Sequence, residues 1–193
     1  MQSKALSLAA ELFRKIEPRK VKPQQAADWN GPFPLPASLA EFYAVVGPAG
    51  ANLRGCGNDY FFPKLKGLWK YQEGYRWDGN TKKPVADWDD DWLVIADQGA
   101  DPFILSRKTG KVLFANAGEG EWSPDEVFDN VAQMAVTLAA LSDLQAALWD
   151  QHEDDDADPD TAQRKAILDL LQPLYASREA AQNALVDQGL RMR

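Results

Sequence analysis

Two pairs of carboxylates stand at spacings that can support general acid–base chemistry. Asp97 and Asp101 are separated by three residues, and Glu119 and Glu121 are separated by one. A hydrolase uses such a pair to accept one proton and to donate another. Because Asp97 and Asp101 enclose Gly99 between two apolar runs, they are also ordinary turn residues. We expect the turn, and we keep a hydrolase that uses Asp97 and Asp101 as the least favoured hypothesis.

Motifs for a metal site or an activated nucleophile are incomplete. The acidic run 153–158 would need Gly at the sixth position and Glu at the twelfth to form an EF-hand loop. Counted from the second residue of the run, those positions hold Pro159 and Lys165, so we expect a solvated loop instead. His152 is the only histidine and Cys56 the only cysteine, which excludes His-cluster metal sites and an intramolecular disulfide. We expect no catalytic residues, no metal and no cofactor.

Aromatic residues are concentrated in the middle of the chain. Seven of the 193 residues are Trp, and Trp69, Trp77, Trp88 and Trp92 fall within 24 positions. Trp77 and Trp88 flank the polar segment 78–84. Aromatic side chains bury a large area and commonly belong to a core, but Trp is also enriched among the anchors of protein interfaces. Both interpretations stay open for Trp77 and Trp88.

The charge is distributed unevenly along the chain. Residues 84–160 carry 19 acidic and 3 basic side chains, whereas both flanking segments are net basic and the whole chain has a net charge of −8. An acidic protein is a poor non-specific binder of nucleic acid or of an anionic membrane, because both require a basic surface. The acidic block predicts instead a protein partner that has a basic surface.

Length and patterning predict a cytoplasmic protein with one main domain. A chain of 193 residues is within the usual range for one domain. The apolar run from Ala5 to Phe13 is interrupted by Glu11 and followed by Arg14 and Lys15. This order predicts an amphipathic helix rather than a signal sequence, and we expect no transmembrane helix.

The periodicity of the apolar residues predicts both strands and helices. Ser123 and Pro124 are typical of a helix start, so we expect a helix from there toward residue 150, with a break near Asn130. Asp160 or Thr161 is expected to cap a C-terminal helix that kinks at Pro173 and continues to residue 189. The other predicted elements are the helices 6–16 and 39–46 and the strands 60–62, 92–96, 102–106 and 111–115, the last two joined by a hairpin at Gly110.

Four segments resemble, in their order and spacing, motifs of the SUKH superfamily. They are LPASLAEFY at 35–43, WLVIADQGADPF at 92–103, GKVLFA at 110–115, and GEW at 120–122, which is expected to lead into the last helix of the family. The similarity spans about residues 35–148. The superfamily includes fungal cell-wall assembly regulators and many bacterial proteins.

The resemblance implies an α+β fold in which helices flank an antiparallel β-sheet. Residues 1–150 would form this domain, with an added N-terminal helix, and residues 151–193 would form an acidic loop and a helical extension packed on it. For bacterial members it implies immunity proteins, which bind and neutralise the effector domain of a polymorphic toxin. The family offers no shared catalytic residues to transfer to this chain.

These observations predict a non-enzymatic protein-binding module, most simply an immunity protein that occludes a secreted toxin whose surface is basic. The alternative is a regulatory or scaffold protein that binds a host partner through its C-terminal helices. Neither hypothesis involves nucleic acid, a membrane or a small-molecule cofactor. The predicted contact surface combines aromatic anchors with carboxylates and comprises Trp77, Trp88, Asp89, Asp90, Asp91, Glu119, Glu121 and Trp122.

Overall fold

The fold is α+β, as the sequence predicts, with one six-stranded antiparallel sheet and helices packed on it. A computed structural model describes residues 2–152 and 158–190. The strands follow one another across the sheet in chain order and are β1 (Ala51–Leu53), β2 (Tyr60–Phe62), β3 (Trp92–Gln98), β4 (Asp101–Ser106), β5 (Val112–Phe114) and β6 (Asp125–Phe128). The helices are α1 (Gln2–Ile16), α2 (Ala37–Val45), α3 (Leu65–Leu68), α4 (Val131–His152), α5 (Thr161–Leu171) and α6 (Arg178–Asp187).

The main core lies between the sheet and the helices α1, α2 and α4. Every residue from Val131 to Leu141 in α4 is at most 5% exposed, because α1 covers one side of α4 and the sheet covers another. Phe13 of α1 packs edge-on against Phe62 of β2, with ring centroids 5.0 Å apart. Helix α4 is long and apolar enough to span a membrane by length and composition, but 78% of that stretch is buried inside the protein. Its apolar composition therefore reflects a position at the centre of the core.

A second, smaller core covers the opposite face of the sheet. Val94, Ile104 and Leu113 point to this outer face and pack under Trp88. The cover comes from the irregular segment 69–92 and from Trp122 rather than from a helix layer. Because both faces are covered, the central part of β3 is buried throughout, which explains its continuous apolar run.

The predicted helix start at Ser123 is wrong. Residues from Asp125 onward form β6, which pairs with β5, and α4 begins only at Val131. The helix start is set by a reciprocal cap in which the Gln133 backbone N–H donates to Asn130 Oδ1 (3.0 Å) and the Asp129 N–H donates to Gln133 Oε1 (2.6 Å). Strand pairing thus overrides the local Ser-Pro signal.

The C-terminal segment forms two helices instead of one kinked helix. Asp160 caps α5 by accepting the Gln163 N–H (2.8 Å), as predicted. The helix ends before Pro173, and Ser177 caps α6 by accepting the Ala180 N–H (3.0 Å). The inner faces of both helices lie in the main core, through Ile167, Leu168, Leu171, Ala181 and Leu185.

A side chain completes one edge of the central strand β3. Strand β2 pairs only with Asp97 and Gln98 of β3, so the first half of β3 has no strand on that side. The buried Gln72 amide fills the gap: its Nε2 donates to the Val94 carbonyl (3.0 Å), and its Oε1 accepts the Val94 N–H (2.9 Å). Arg76 Nη2 donates to the Trp92 carbonyl one pleat away (2.8 Å).

We predict that Gln72→Leu lowers the free energy of unfolding by about 2–4 kcal/mol, because it leaves the N–H and C=O of Val94 buried without partners. Urea denaturation followed by circular dichroism measures the change. The matched control is Gln182→Leu, at an exposed position of α6, which should change stability by less than about 0.5 kcal/mol. Equal effects of the two substitutions would show that the Gln72 amide has no special role.

Candidate partner-binding surface

The acidic turn Asp89–Asp91 holds the structure together rather than presenting three free carboxylates. Asp91 is 7% exposed; its carboxylate accepts the Ser106 hydroxyl (2.5 Å) and the Lys108 N–H (2.8 Å). These bonds fasten the β4–β5 hairpin to the segment that covers the outer face of the sheet. Asp91 was predicted to contact a partner, and its burial corrects that prediction.

The other two carboxylates of the turn are partly neutralised by neighbouring cations. Asp90 is exposed, but its carboxylate accepts from Arg76 Nη1 (2.7 Å), and its carbonyl accepts from both Arg76 and Arg107. Asp89 Oδ1 accepts the N–H of Asp91 (2.7 Å) and lies 3.9 Å from Lys108 Nζ. The turn therefore presents much less uncompensated negative charge than its sequence indicates.

Trp88 is part of the outer core and not an exposed anchor. It is 7% exposed, and its ring lies 5.4 Å from those of both Trp92 and Trp122. Burial on the apolar face of the sheet accounts for this position and corrects the prediction that Trp88 contacts a partner. Trp77 is half-buried and stacks on Trp69, with centroids 5.0 Å apart; within the described residues no ring contact joins it to Trp122.

Trp122 is the one predicted aromatic anchor that the structure combines with predicted carboxylates. It is half-exposed, its ring lies 5.8 Å from that of Tyr75, and its backbone N–H donates to Asp87 Oδ2 (2.6 Å). Glu119 and Glu121 are exposed on the same loop. We call the set Tyr75, Asp87, Glu119, Glu121 and Trp122 the acidic–aromatic patch.

Two carboxylates hold the loop between β5 and β6, which carries Glu119, Glu121 and Trp122. The Ala117 N–H donates to Asp101 Oδ1 (2.8 Å), at the start of the loop, while Asp87 holds its end. Burial, and to a smaller extent the negative charge of Asp101, raise the pKa of Tyr75 to about 12. Glu119 accepts from Asn116 Nδ2 (2.8 Å), whereas Glu121 makes no polar contact with any residue that the structure describes.

The pair Asp97 and Asp101 forms the expected turn. Gly99 and Ala100 occupy the two central positions with φ of +65° and +83°, and the Asp97 carboxylate accepts the Ala100 N–H (3.5 Å). Burial raises the pKa of Asp97. Asp97 thus has the turn role that the sequence predicts, whereas Asp101 accepts the N–H of Ala117 on the loop between β5 and β6.

The remaining titratable candidates show no chemical site in the described part of the chain. Residues 2–152 and 158–190 contain no group of three or more His, Cys, Asp or Glu side chains that could hold a metal ion. Most of the acidic run, residues 153–157, lies outside this part, as does the side chain of His152. Cys56 accepts a hydrogen bond from Gln145 (3.0 Å), and burial raises its pKa to about 11, so its thiol stays protonated at neutral pH.

A comparison of the chain with family models, with curated proteins and with solved structures finds no match. The SUKH resemblance therefore rests on the four segments. Residues 35–43 contribute most of α2, residues 92–103 form the β3–β4 hairpin, and residues 110–115 contain β5. The fourth segment, 120–122, leads into β6 and only afterwards into α4, which differs from the expected direct passage into a helix.

Sequence inspection missed Tyr75, Asp87 and Arg76, which shape the predicted surface. Asp87 contacts Trp122 across 35 positions of the chain, and no local pattern marks such a pairing. The alternating Trp and Asp residues from Asp87 to Trp92 were the available signal. This pattern indicates that the segment mixes core and surface residues, but it does not show which of the side chains are buried.

We predict that Asp91→Ala lowers the free energy of unfolding by about 2–3 kcal/mol, because the Ser106 hydroxyl and the Lys108 N–H lose their acceptor. Asp90→Ala is the matched control: it removes the neighbouring carboxylate, whose own side chain is 98% exposed, and should cost less than about 1 kcal/mol, because Arg76 keeps its bonds to the carbonyls of residue 90 and Trp92. Thermal and urea unfolding measure both. If Asp91→Ala is as mild as Asp90→Ala, the fastening role of Asp91 is wrong.

We predict a pH-dependent effect of Asp97→Asn. Because burial raises the pKa of Asp97 above its usual 3.8, the folded state binds this proton more tightly than the unfolded state. Ionisation of Asp97 therefore costs stability as the pH rises through this range, and Asn removes that cost while keeping an acceptor for Ala100. The stability of the variant relative to the original protein should increase between pH 3 and pH 7, measured by urea unfolding; a decrease would contradict the direction of the pKa shift.

Proposed function

We propose that this protein is a non-enzymatic protein-binding module, and specifically a cytoplasmic immunity protein that neutralises a cognate secreted toxin by occluding it. The observation that carries the proposal is the acidic–aromatic patch, in which a half-exposed Trp shares its loop with two exposed carboxylates and donates its backbone N–H to a third. The SUKH resemblance of four ordered segments supports the immunity assignment. No cofactor enters this mechanism.

The patch has the composition of an interface hot spot. Trp and Tyr are enriched among the residues that dominate binding energy, and here Trp122 and Tyr75 present half-exposed rings. Both rings rest on Trp88, which is buried. Because the rings are already packed, binding costs little side-chain entropy, and this preorganisation favours affinity.

The carboxylates would select the partner and accelerate its association. Toxin domains that act on polyanions such as nucleic acids have basic clefts, and an acidic surface is complementary to such a cleft. Glu119 and Glu121 are exposed, so their charges act at long range in low salt. Binding over the cleft excludes the substrate without any chemical step in the immunity protein.

The direct test is co-purification of the tagged chain with secreted toxin domains encoded by neighbouring genes, followed by protection assays in cells that express the toxin. Glu119→Gln with Glu121→Gln should slow association about 10-fold at low salt, through loss of steering. Trp122→Ala should raise Kd roughly 30-fold, as expected of a hot spot. Surface plasmon resonance separates the two effects.

The matched control is Glu11→Gln with Asp59→Asn, which removes two exposed charges outside the patch. This variant should bind and protect like the original protein, and circular dichroism should show that every variant is folded. Binding that is equally sensitive to both double variants would reflect only net charge. Failure to bind or to protect against any neighbouring toxin would overturn the immunity proposal.

A further inference from the structure

Strand β6 leaves one side of its backbone without a partner in the sheet. It is the last strand of the sheet and pairs with β5 on one side, and no other strand among the described residues pairs with it. An edge strand presents a row of N–H and C=O groups that can pair with another chain. Helix α4 contacts both edge strands, β1 and β6, so the case for β6 rests on the groove beside it.

A groove of about 320 Å³ runs beside β6. One wall is β6 itself, through Glu126, Val127 and Phe128, and the other wall is α6. Helix α6 presents the small side chains of Ala180 and Ala184 to the groove. The groove therefore combines a free strand edge with a lining in which small apolar side chains alternate with polar and charged ones.

The rim of this groove is acidic. Asp129 and Asp187 line it together with Glu126, and its one basic residue, Lys111, is already paired with Glu126 (2.5 Å). Asp187 is the last residue of α6, where a negative charge is unfavourable because the helix dipole is negative at its C-terminus. The helix dipole therefore disfavours Asp at this position in the free protein. A cationic ligand in the groove would instead be attracted by the Asp187 carboxylate.

We propose that the edge of β6 receives an extended, basic segment of the partner protein as a seventh strand of the sheet. This inference rests on the proposed function and specifies how the partner would bind. Backbone hydrogen bonds to β6 would supply affinity. Because side chains alternate along a strand, every second residue of the segment would face the groove, where Lys or Arg can reach Asp129 and Asp187.

The charges select a basic occupant over a second copy of this protein. Pairing two copies through β6 would bring the acidic rims of both grooves, with Glu126, Asp129 and Asp187 of each copy, into one interface, where like charges repel. A strand carrying Lys or Arg meets opposite charges at the same positions. The acidic rim thus prevents self-association at the edge while it attracts the proposed segment.

The test uses an eight-residue synthetic peptide of alternating Val and Lys, added to the full-length, isotope-labelled protein in an NMR titration. We expect saturable shifts of the backbone amides of Asp125 to Asp129 and of α6, weakening as salt is added. A peptide methylated on every second backbone nitrogen cannot complete the strand pairing and should bind at least 10-fold more weakly. Alternating Val and Glu should not bind.

The variant Asp129→Asn with Asp187→Asn should weaken binding of the Val-Lys peptide at least 10-fold, and the control Glu11→Gln with Asp59→Asn should leave it unchanged. Equal binding of the methylated peptide, or shifts at Trp122 and Tyr75 instead of β6, would overturn strand addition. Absence of peptide binding to a protein that still binds its toxin would overturn only this inference. Peptide binding without any toxin partner would overturn only the immunity proposal.

Discussion

The structure depends on one constraint: the central strand β3 is apolar from Trp92 to Ala96 and must be covered on both faces of the sheet. Helices α1 and α4 cover one face, with Phe13 and the first half of α4 fully buried. The other face has no helix layer, so an irregular segment must bury it. That need accounts for Tyr71, Tyr75 and Trp88, because large rings can cover a sheet where regular structure is absent.

An irregular cover needs polar fasteners, since its backbone lacks the hydrogen bonds of a helix or strand. Gln72 pairs with Val94, Arg76 and Arg107 hold the carbonyl of Asp90, and Asp91 binds the β4–β5 hairpin. Much of the acidic block thus has a structural use inside the protein. Of the carboxylates predicted to contact a partner, Glu119 and Glu121 remain exposed and make few contacts, and they define the candidate surface.

The sequence supported the fold class, the four strands of clear apolar composition and the inward face of α1, because each depends on local periodicity. It did not reveal β6, because Ser123 and Pro124 imitate a helix start and only pairing with β5 decides otherwise. It overestimated the contact surface for a related reason. Trp88 and Asp91 have the residue types of an interface, but long-range packing under Trp122 and against Ser106 turns both inward.

Three members of the acidic–aromatic patch, Glu119, Glu121 and Trp122, belong to the same continuous stretch of chain as the edge strand β6. The loop that carries Glu121 and Trp122 leads directly into β6 at Asp125, and its position is fixed by Asp87 and Asp101. A partner that anchors on Trp122 would therefore already be close to the free strand edge. Contacts with an aromatic anchor contribute affinity but do not fix the orientation of the partner, whereas strand pairing fixes both its orientation and its register. The combination provides selectivity that an acidic surface alone cannot, because steering by charge accepts many basic proteins.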